Sequence, residues 1–192
     1  MTSVTIFGTG NMANAIGGVF AAGGSSVAYI GRDRVGAASI EGDIVVLAVP
    51  HPAVDEIVTT HADQLAGKTV VDITNPVDFS TFDSLVVPAG SSLTAQIQDT
   101  LPQSSVVKAF NTNFAATLAS GKVGELPTTV LVAGDDIAAK SALISAIEAG
   151  GIGAIDAGSL SRANELEAIG FLQLTLAVGE QIAWTGGFAS VR

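Results

Sequence analysis

The chain has 192 residues, 48% of them apolar and 14% charged, a composition that supports one packed core and excludes disorder. Eight Lys and Arg against 18 Asp and Glu give a net charge of −10, which argues against nucleic acid or an anionic membrane surface as a partner. There is no cysteine, so disulfides, thiol catalysis and cysteine-ligated metal are excluded.

Residues 3–7 form a short β-branched run that ends in Gly8-Thr9-Gly10. Residues 11–22 follow with Met12, Ile16, Val19 and Phe20 at helical spacing, and Gly23-Gly24 stops that helix. Strands are predicted at 27–30, 44–49, 70–73, 106–110, 129–133 and 152–155. A helix is expected from Pro52 to Gly67, a second over 136–149 with Asp135 or Asp136 as N-cap, and one long helix over 159–184. The strands are continuous apolar runs, which implies burial on both faces. Strand and helix alternate, so the predicted fold is α/β, a doubly wound, mostly parallel Rossmann sheet with a long C-terminal helix. Residues 1–158 are expected to be the dinucleotide-binding domain. Residues 159–192 are expected to be a helical segment that packs on it or on a dimer partner. The irregular stretch 77–90 is the longest, and long loops in compact domains are often functional. The chain starts with a strand and turn, without a basic segment, and has no apolar run of ~18 residues; a cytoplasmic protein with no membrane partner is expected.

Gly8-x-Gly10-x-x-Ala13 closes the first strand and opens the first helix. In that setting Gly8 makes the tight turn, Gly10 admits a pyrophosphate, and Ala13 allows close packing, with free N–H groups at the helix start. At the end of the second strand, an NAD site places an acid on the ribose 2′-hydroxyl. The sequence here is Ile30-Gly31-Arg32-Asp33-Arg34. Two arginines within three residues suit a 2′-phosphate, because the guanidinium fork matches its oxygens. Asp33 offers the competing contact to a ribose hydroxyl, and a solvated surface pair is the plain alternative.

Ligands of such sheets sit beyond the carboxyl ends of the strands. The predicted rim is Val49-Pro50-His51, Thr74-Asn75-Pro76, 109–113 and Ala157-Gly158-Ser159. It carries small neutral residues, with no carboxylate pair, no Ser–His–Asp order and no metal cluster. His51 reads either as a cofactor contact or as a residue that opens the helix, and His61 as a surface residue. Lys108, inside the fifth strand, is a doubtful catalytic base. No catalytic side chain is expected; hydride transfer between two bound rings needs orientation and exclusion of water.

The motifs Gly8-Thr9-Gly10-Asn11-Met12, Val70-Val71-Asp72-Ile73-Thr74-Asn75-Pro76, Val107-Lys108-Ala109-Phe110-Asn111-Thr112, Gly134-Asp135-Asp136 and Asp156-Ala157-Gly158 occur in this order. As a set the sequence resembles the NADPH-dependent coenzyme F420 reductase-like family, and in part the reductase domain of the STEAP metalloreductases. The resemblance implies an NADPH-dependent oxidoreductase with NADP(H) in the cleft and a flavin or deazaflavin, such as coenzyme F420, as the small-molecule acceptor. By motif, Gly8, Thr9, Gly10, Asn11 and Met12 would hold the pyrophosphate. Gly31 and Arg32 match the family's Ser-Arg at the 2′-phosphate, with Arg34 beside them. Val49, Pro50 and His51 would lie along the ribose and nicotinamide near Asn75. Asn111, Thr112, Ala115 and Ala116 would line the acceptor side. The resemblance also implies a homodimer, with the apolar stripe of the last helix either covering its own domain or forming the seam. Trp184 and Phe188, joined by glycines, are candidate caps of the acceptor site. A non-catalytic NADP(H)-binding sensor and an imine or hydroxyacid reductase are the competing readings. The latter usually needs a larger helical domain than the roughly 35 residues that follow the sheet.

Overall fold

The structure, a computed structural model, describes residues 2–191. Strand β1 (Ser3–Phe7) leads into α1 (Asn11–Ala22) and then β2 (Ser26–Ile30). A 3-10 turn (Arg32–Ala37) leads to β3 (Ile44–Leu47), followed by α2 (Val54–Thr60), α3 (Ala62–Leu65) and β4 (Thr69–Asp72). Next come α4 (Leu93–Thr100), β5 (Ser105–Lys108), α5 (Ala115–Ser120) and the hairpin β6 (Lys122–Val123) and β7 (Leu126–Pro127). The chain continues through β8 (Thr129–Gly134), α6 (Ile137–Ala149), β9 (Gly153–Gly158) and α7 (Ala163–Val178).

Seven strands form one sheet in the order β2-β1-β3-β4-β5-β8-β9, and β1 to β5 are parallel. Alternate residues of the central strands serve two cores. Ile44 and Val46 of β3 join Ile16, Phe20, Leu143 and Ile147 from α1 and α6 on one face. Val45 and Leu47 join Val54, Ile57, Leu65 and Ile97 from α2, α3 and α4 on the other. Burial on both faces is why these strands read as continuous apolar runs. The fold is the expected mostly parallel, doubly wound sheet with a C-terminal helix.

The structure agrees with the sequence reading at the first crossover and departs from it at four later places. The connection after β2 is a 3-10 turn, in keeping with the sequence, whose short crossover between Arg32 and Asp43 leaves no room for a full helix. The expected helix from Pro52 to Gly67 is broken at His61. That side chain is 2% exposed, not on the surface. Its Nε2–H donates to the Val35 carbonyl at 2.6 Å, its Nδ1 accepts from Gln64, and its ring packs on Phe7. Helix α4, capped by the Ser92 hydroxyl, was not expected. Strand β8 runs antiparallel to β5, with Lys108 opposite Ala133, and β9 follows β8. The end of β9 therefore points away from the carboxyl ends of β1 to β5, and Ala157-Gly158-Ser159 leaves the predicted rim. Finally, the last helix stops at Val178 with Gly179 as its cap, after which Glu180 turns at φ 58° and the chain folds back. Trp184 is not helical. The Asp136 cap of α6 is as expected, with its Oδ1 accepting from the Ala139 N–H at 3.0 Å.

Candidate active site

The β1–α1 turn is built by two glycines with different duties. Gly8 has φ 116°, and a Cβ there would stand 2.2 Å from the Ala48 carbonyl oxygen, so only glycine fits. Gly10 has an ordinary extended backbone, and a Cβ there would meet nothing within 4 Å. The space above Gly10 is therefore open cleft, with the N-terminus of α1 facing it. Ala13 is fully buried, 3.7 Å from the Cβ position of Gly8, which explains its small side chain.

Two cavities meet at this turn, sharing Gly10, Ala48, Val49 and Pro50. One, of about 680 Å³, extends over Gly8, Thr9, Ile30 and Arg32 toward Glu56 and Ile57. The other, of about 620 Å³, extends over Asn11, Met12 and His51 to Asn75, Asn111, Ala115 and Trp184. The structure thus brings together every candidate cofactor-binding residue except Gly31, Arg34 and Thr112, which line neither cavity. Gly31 sits close by, with its Cβ position 2.9 Å from an Asp33 carboxylate oxygen. Thr112 is buried, and its carbonyl accepts from Gln173 at 3.1 Å. Arg32 and Arg34 are exposed, and neither is in an ion pair among the described residues.

The far wall of the second cavity is made at the end of β5. Phe110 takes φ 62°, uncommon for a non-glycine residue, and the Asn111 N–H closes a tight turn onto the Ala109 carbonyl at 2.8 Å. The turn aims Asn111 and Asn113 at the cleft. The Asn111 amide nitrogen donates to Asn75 Oδ1 at 2.9 Å and to the Leu166 carbonyl at 2.7 Å. Asn113 donates to the Thr129 carbonyl. Those donations fix both amide orientations and leave Asn111 Oδ1 and Asn113 Oδ1 buried without a partner. A buried carbonyl oxygen without a donor is costly, so two beside one cavity suit a ligand that brings N–H groups. A nicotinamide carboxamide is such a group. With the open space at Gly10 and the α1 N-terminus, the residues present fit an NADP(H) molecule laid across both cavities.

Beneath the rim lies a charged cluster that the sequence did not disclose. Lys108 Nζ donates to Asp72 Oδ2 at 2.8 Å, to Glu167 Oε1 at 2.9 Å and to the Thr74 carbonyl at 2.6 Å, and all three charged side chains are fully buried. Asp72 also accepts from the Thr74 N–H and hydroxyl and from the Thr94 hydroxyl. Glu167 accepts the Leu93 and Thr94 N–H groups at the start of α4. Burial pushes the Glu167 carboxyl above its ordinary range and the Asp72 charge adds to the rise, while Lys108 opposes it. The cluster ties α7 and α4 to β4 and β5 and holds the Thr74-Asn75 rim. Lys108 lines neither cavity.

Several lining residues were missed. Val77 and Phe79 come from the irregular stretch 77–90, which is pinned by a bridge between Val77 and Leu85. The Val77 carbonyl accepts from His51 Nε2 at 3.1 Å, and Phe79 stacks on the His51 ring at 5.2 Å. Gly170 of α7 makes room for Asn75, whose side chain occupies the space a Cβ would take. A glycine inside a helical pattern was the available signal. Trp184 returns to the cavity and packs on Phe114 at 5.0 Å, whereas Phe188 lies outside it.

A mostly parallel sheet with a glycine turn at its first helix and a two-part cleft at its strand ends defines a dinucleotide-binding fold. Comparison with known proteins narrows the class. Residues 27–76 match the family model described as NADP oxidoreductase coenzyme F420-dependent. The chain is 31% identical over 161 residues to the F420-dependent NADP reductase of Methanocaldococcus jannaschii, covering 82% of this chain and 71% of that one. A solved structure from Arthrobacter sp. FB24, described provisionally as an F420-dependent NADP reductase, superposes with a TM-score of 0.87 at 26% identity over the full length of both chains. Metalloreductase STEAP3 of Rattus norvegicus is 36% identical over 108 residues, 56% of this chain but 21% of that protein. The chain belongs to the coenzyme F420-dependent NADP oxidoreductase family, and it is an NADP-dependent oxidoreductase. No helix among the described residues is long and apolar enough to cross a membrane.

Proposed function

We infer that the chain passes hydride between NADPH and a flavin or deazaflavin, with coenzyme F420 one member of that acceptor class. The observation that carries this reading is the joined pair of cavities. One has an open glycine turn and an arginine, and the other has ring-sized, uncharged walls with two unpartnered amide oxygens. NADP(H) supplies the transferable hydride on its nicotinamide ring. Thr9 and Gly10 offer backbone N–H groups to the pyrophosphate, Gly8, whose own N–H is donated to the Ile30 carbonyl at 2.9 Å, makes the turn that places them, and Asn11 and Met12 continue that surface at the helix start. Arg32 meets the 2′-phosphate, with Gly31 and Arg34 beside it. Val49, Pro50 and His51 lie along the ribose. Asn75, Asn111 and Asn113 orient the carboxamide, and Thr112 anchors that turn to α7 through its carbonyl. Phe79, Ala115 and Trp184 exclude water from the acceptor side. Residues 1–158 hold the dinucleotide in this reading, and 159–192 complete the acceptor wall through Gly170, Leu174 and Trp184.

Arg32→Ala should weaken NADPH binding by about 10–100-fold and leave NADH nearly unchanged, as expected for one charge-assisted contact to phosphate. Calorimetric titration with both nucleotides checks this, and equal losses would remove the 2′-phosphate assignment. The reaction itself is tested by anaerobic oxidation of NADPH with deazaflavin, FMN, FAD and ferric chelate offered separately. Rapid turnover with a flavin-type ring and little with NADH is expected. Binding of NADPH without turnover of any acceptor would contradict the reading.

A homodimer belongs to the same proposal. Ile169, Leu172 and Val178 leave apolar surface exposed on α7, the element expected at a two-fold seam. Light scattering should give twice the mass of the chain, and Leu172→Glu should return it to monomer. A monomeric wild type would remove the seam.

A further inference from the structure

Helix α7 turns one face toward the site. On that face the Leu166 carbonyl receives the Asn111 amide, Glu167 receives Lys108, and Gly170 makes room for Asn75. Gln173 stands on the same face, at the i, i+4, i+7 spacing from Leu166 through Gly170. Its side chain is 2% exposed. A leucine would fill such a position without polar atoms, so a buried glutamine finds its reason in its partners.

Those partners are two backbone groups from different parts of the chain. The amide nitrogen donates to the Thr112 carbonyl at 3.1 Å, in the turn that presents Asn111 and Asn113. The amide oxygen accepts from the Phe188 N–H at 3.0 Å, beyond the end of α7. A carbonyl only accepts and an N–H only donates, so the orientation of the amide is fixed. The chain reaches Phe188 by folding back after Val178. Glu180 turns at φ 58°, and the Gln181 N–H donates to the Leu176 carbonyl at 2.9 Å. Gly187, at φ 128°, then brings the backbone so close that a Cβ there would stand 3.0 Å from the Gln173 amide oxygen. Between these two turns the strap carries Trp184 into the cavity and onto Phe114. Phe114 follows Asn113 directly. Trp184 therefore rests on the turn that holds the nicotinamide side, and its strap is bound to that same turn through Gln173.

We propose that Gln173 is a positioning residue of the acceptor site: its buried amide locks the C-terminal strap to the Asn111 turn and so holds Trp184 as a wall against the acceptor ring. The inference deepens the hydride-transfer reading and rests on it.

Trp184 is the only tryptophan in the chain, so its emission reports the seat of the strap without any ligand. Gln173→Met keeps the length of the side chain and removes both hydrogen bonds. In that variant the Trp184 emission of the ligand-free chain should move to the red, and its quenching by acrylamide should rise. With saturating NADPH and coenzyme F420 or FMN as acceptor, the acceptor KM should rise about 10-fold, as loss of a stacking face does, and kcat should stay within about 2-fold. NADPH affinity should change little, because the Asn111 turn keeps its bonds to Asn75 and Leu166. Gly187→Val loosens the strap at its own, partly exposed end, away from the core, and should give the same pattern. Trp184→Leu should raise the acceptor KM by a similar factor, and adding Gln173→Met to it should cost little more, since Gln173 acts through that ring. Unchanged emission and acceptor KM in Gln173→Met and Gly187→Val overturn the proposal and leave the oxidoreductase reading standing. A loss confined to kcat, or full additivity in the double variant, overturns it as well. A wild type that reduces neither acceptor overturns the hydride-transfer reading and this inference with it.

Discussion

Gly10→Val should abolish binding of NADPH and NADH alike while the protein keeps its fold. A Cβ at this position meets no protein atom within 4 Å, and the side chain grown from it should fill the cleft where the pyrophosphate belongs. An ordinary extended φ of −79° at this residue accepts a β-branched side chain without strain. The loss should exceed about 100-fold in Kd, since the variant blocks the approach of backbone N–H groups to phosphate and displaces the whole ligand. Gly8→Ala provides the contrast. Its Cβ would stand 2.2 Å from the Ala48 carbonyl at φ 116°, so that variant should lower the melting temperature. Calorimetric titration and thermal melts separate the two. Retained affinity in Gly10→Val would place the cofactor elsewhere.

Lys108→Met should cause the largest loss of stability of any single substitution considered for this chain. It leaves Asp72 and Glu167 fully buried with no cation between them. Removing one member of such a buried ionic cluster costs about 3–5 kcal/mol, or roughly 6–20 °C in Tm for a chain of this size. Glu167→Gln in that background should recover part of the loss, because one buried charge becomes neutral. The same residue sets a pH dependence. Its carboxyl is raised in the folded state, chiefly by burial. Its contribution is therefore fully present below the unfolded value of about 4.3 and is lost as pH rises through the folded value. Wild-type stability should carry this decline and Glu167→Gln should lack it, as chemical denaturation at a series of pH values can show. Identical profiles would remove Glu167 as the titrating group.

Local signals were legible in the sequence, and long-range ones were not. Strand β1 and helix α1 were read to their observed ends, because Gly8, Gly10 and Gly23 mark the turns directly. The glycine turn, the rim of β3 and β4 and the Asn111 turn were located from the same reasoning. Helix α4 escaped because its apolar face is short, although Ser92 offers an N-cap signal. The last helix was extended to Trp184 because apolar spacing continued beyond Gly179, and the reversal there depends on Glu180 at positive φ. The direction of β8 leaves no mark in composition, so Ala157-Gly158-Ser159 was placed at the wrong end of the sheet. His61 is buried by a carbonyl 26 residues away. Lys108 finds its partners 36 and 59 residues away in Asp72 and Glu167. Pairings at such separations are fixed by topology, which a single sequence does not display.

Direct hydride passage within one cleft is the central claim. It is tested by NADPH deuterated at the transferring nicotinamide carbon, incubated anaerobically with the chain and an uncharged deazaflavin, whose accepting atom is a carbon that does not exchange with water. The account predicts that the deuterium is recovered on the deazaflavin, because the two rings meet between the Asn111 turn and Trp184 with no proton-relaying side chain between them. Deuterium released to water, or NADPH bound with none transferred, would contradict it.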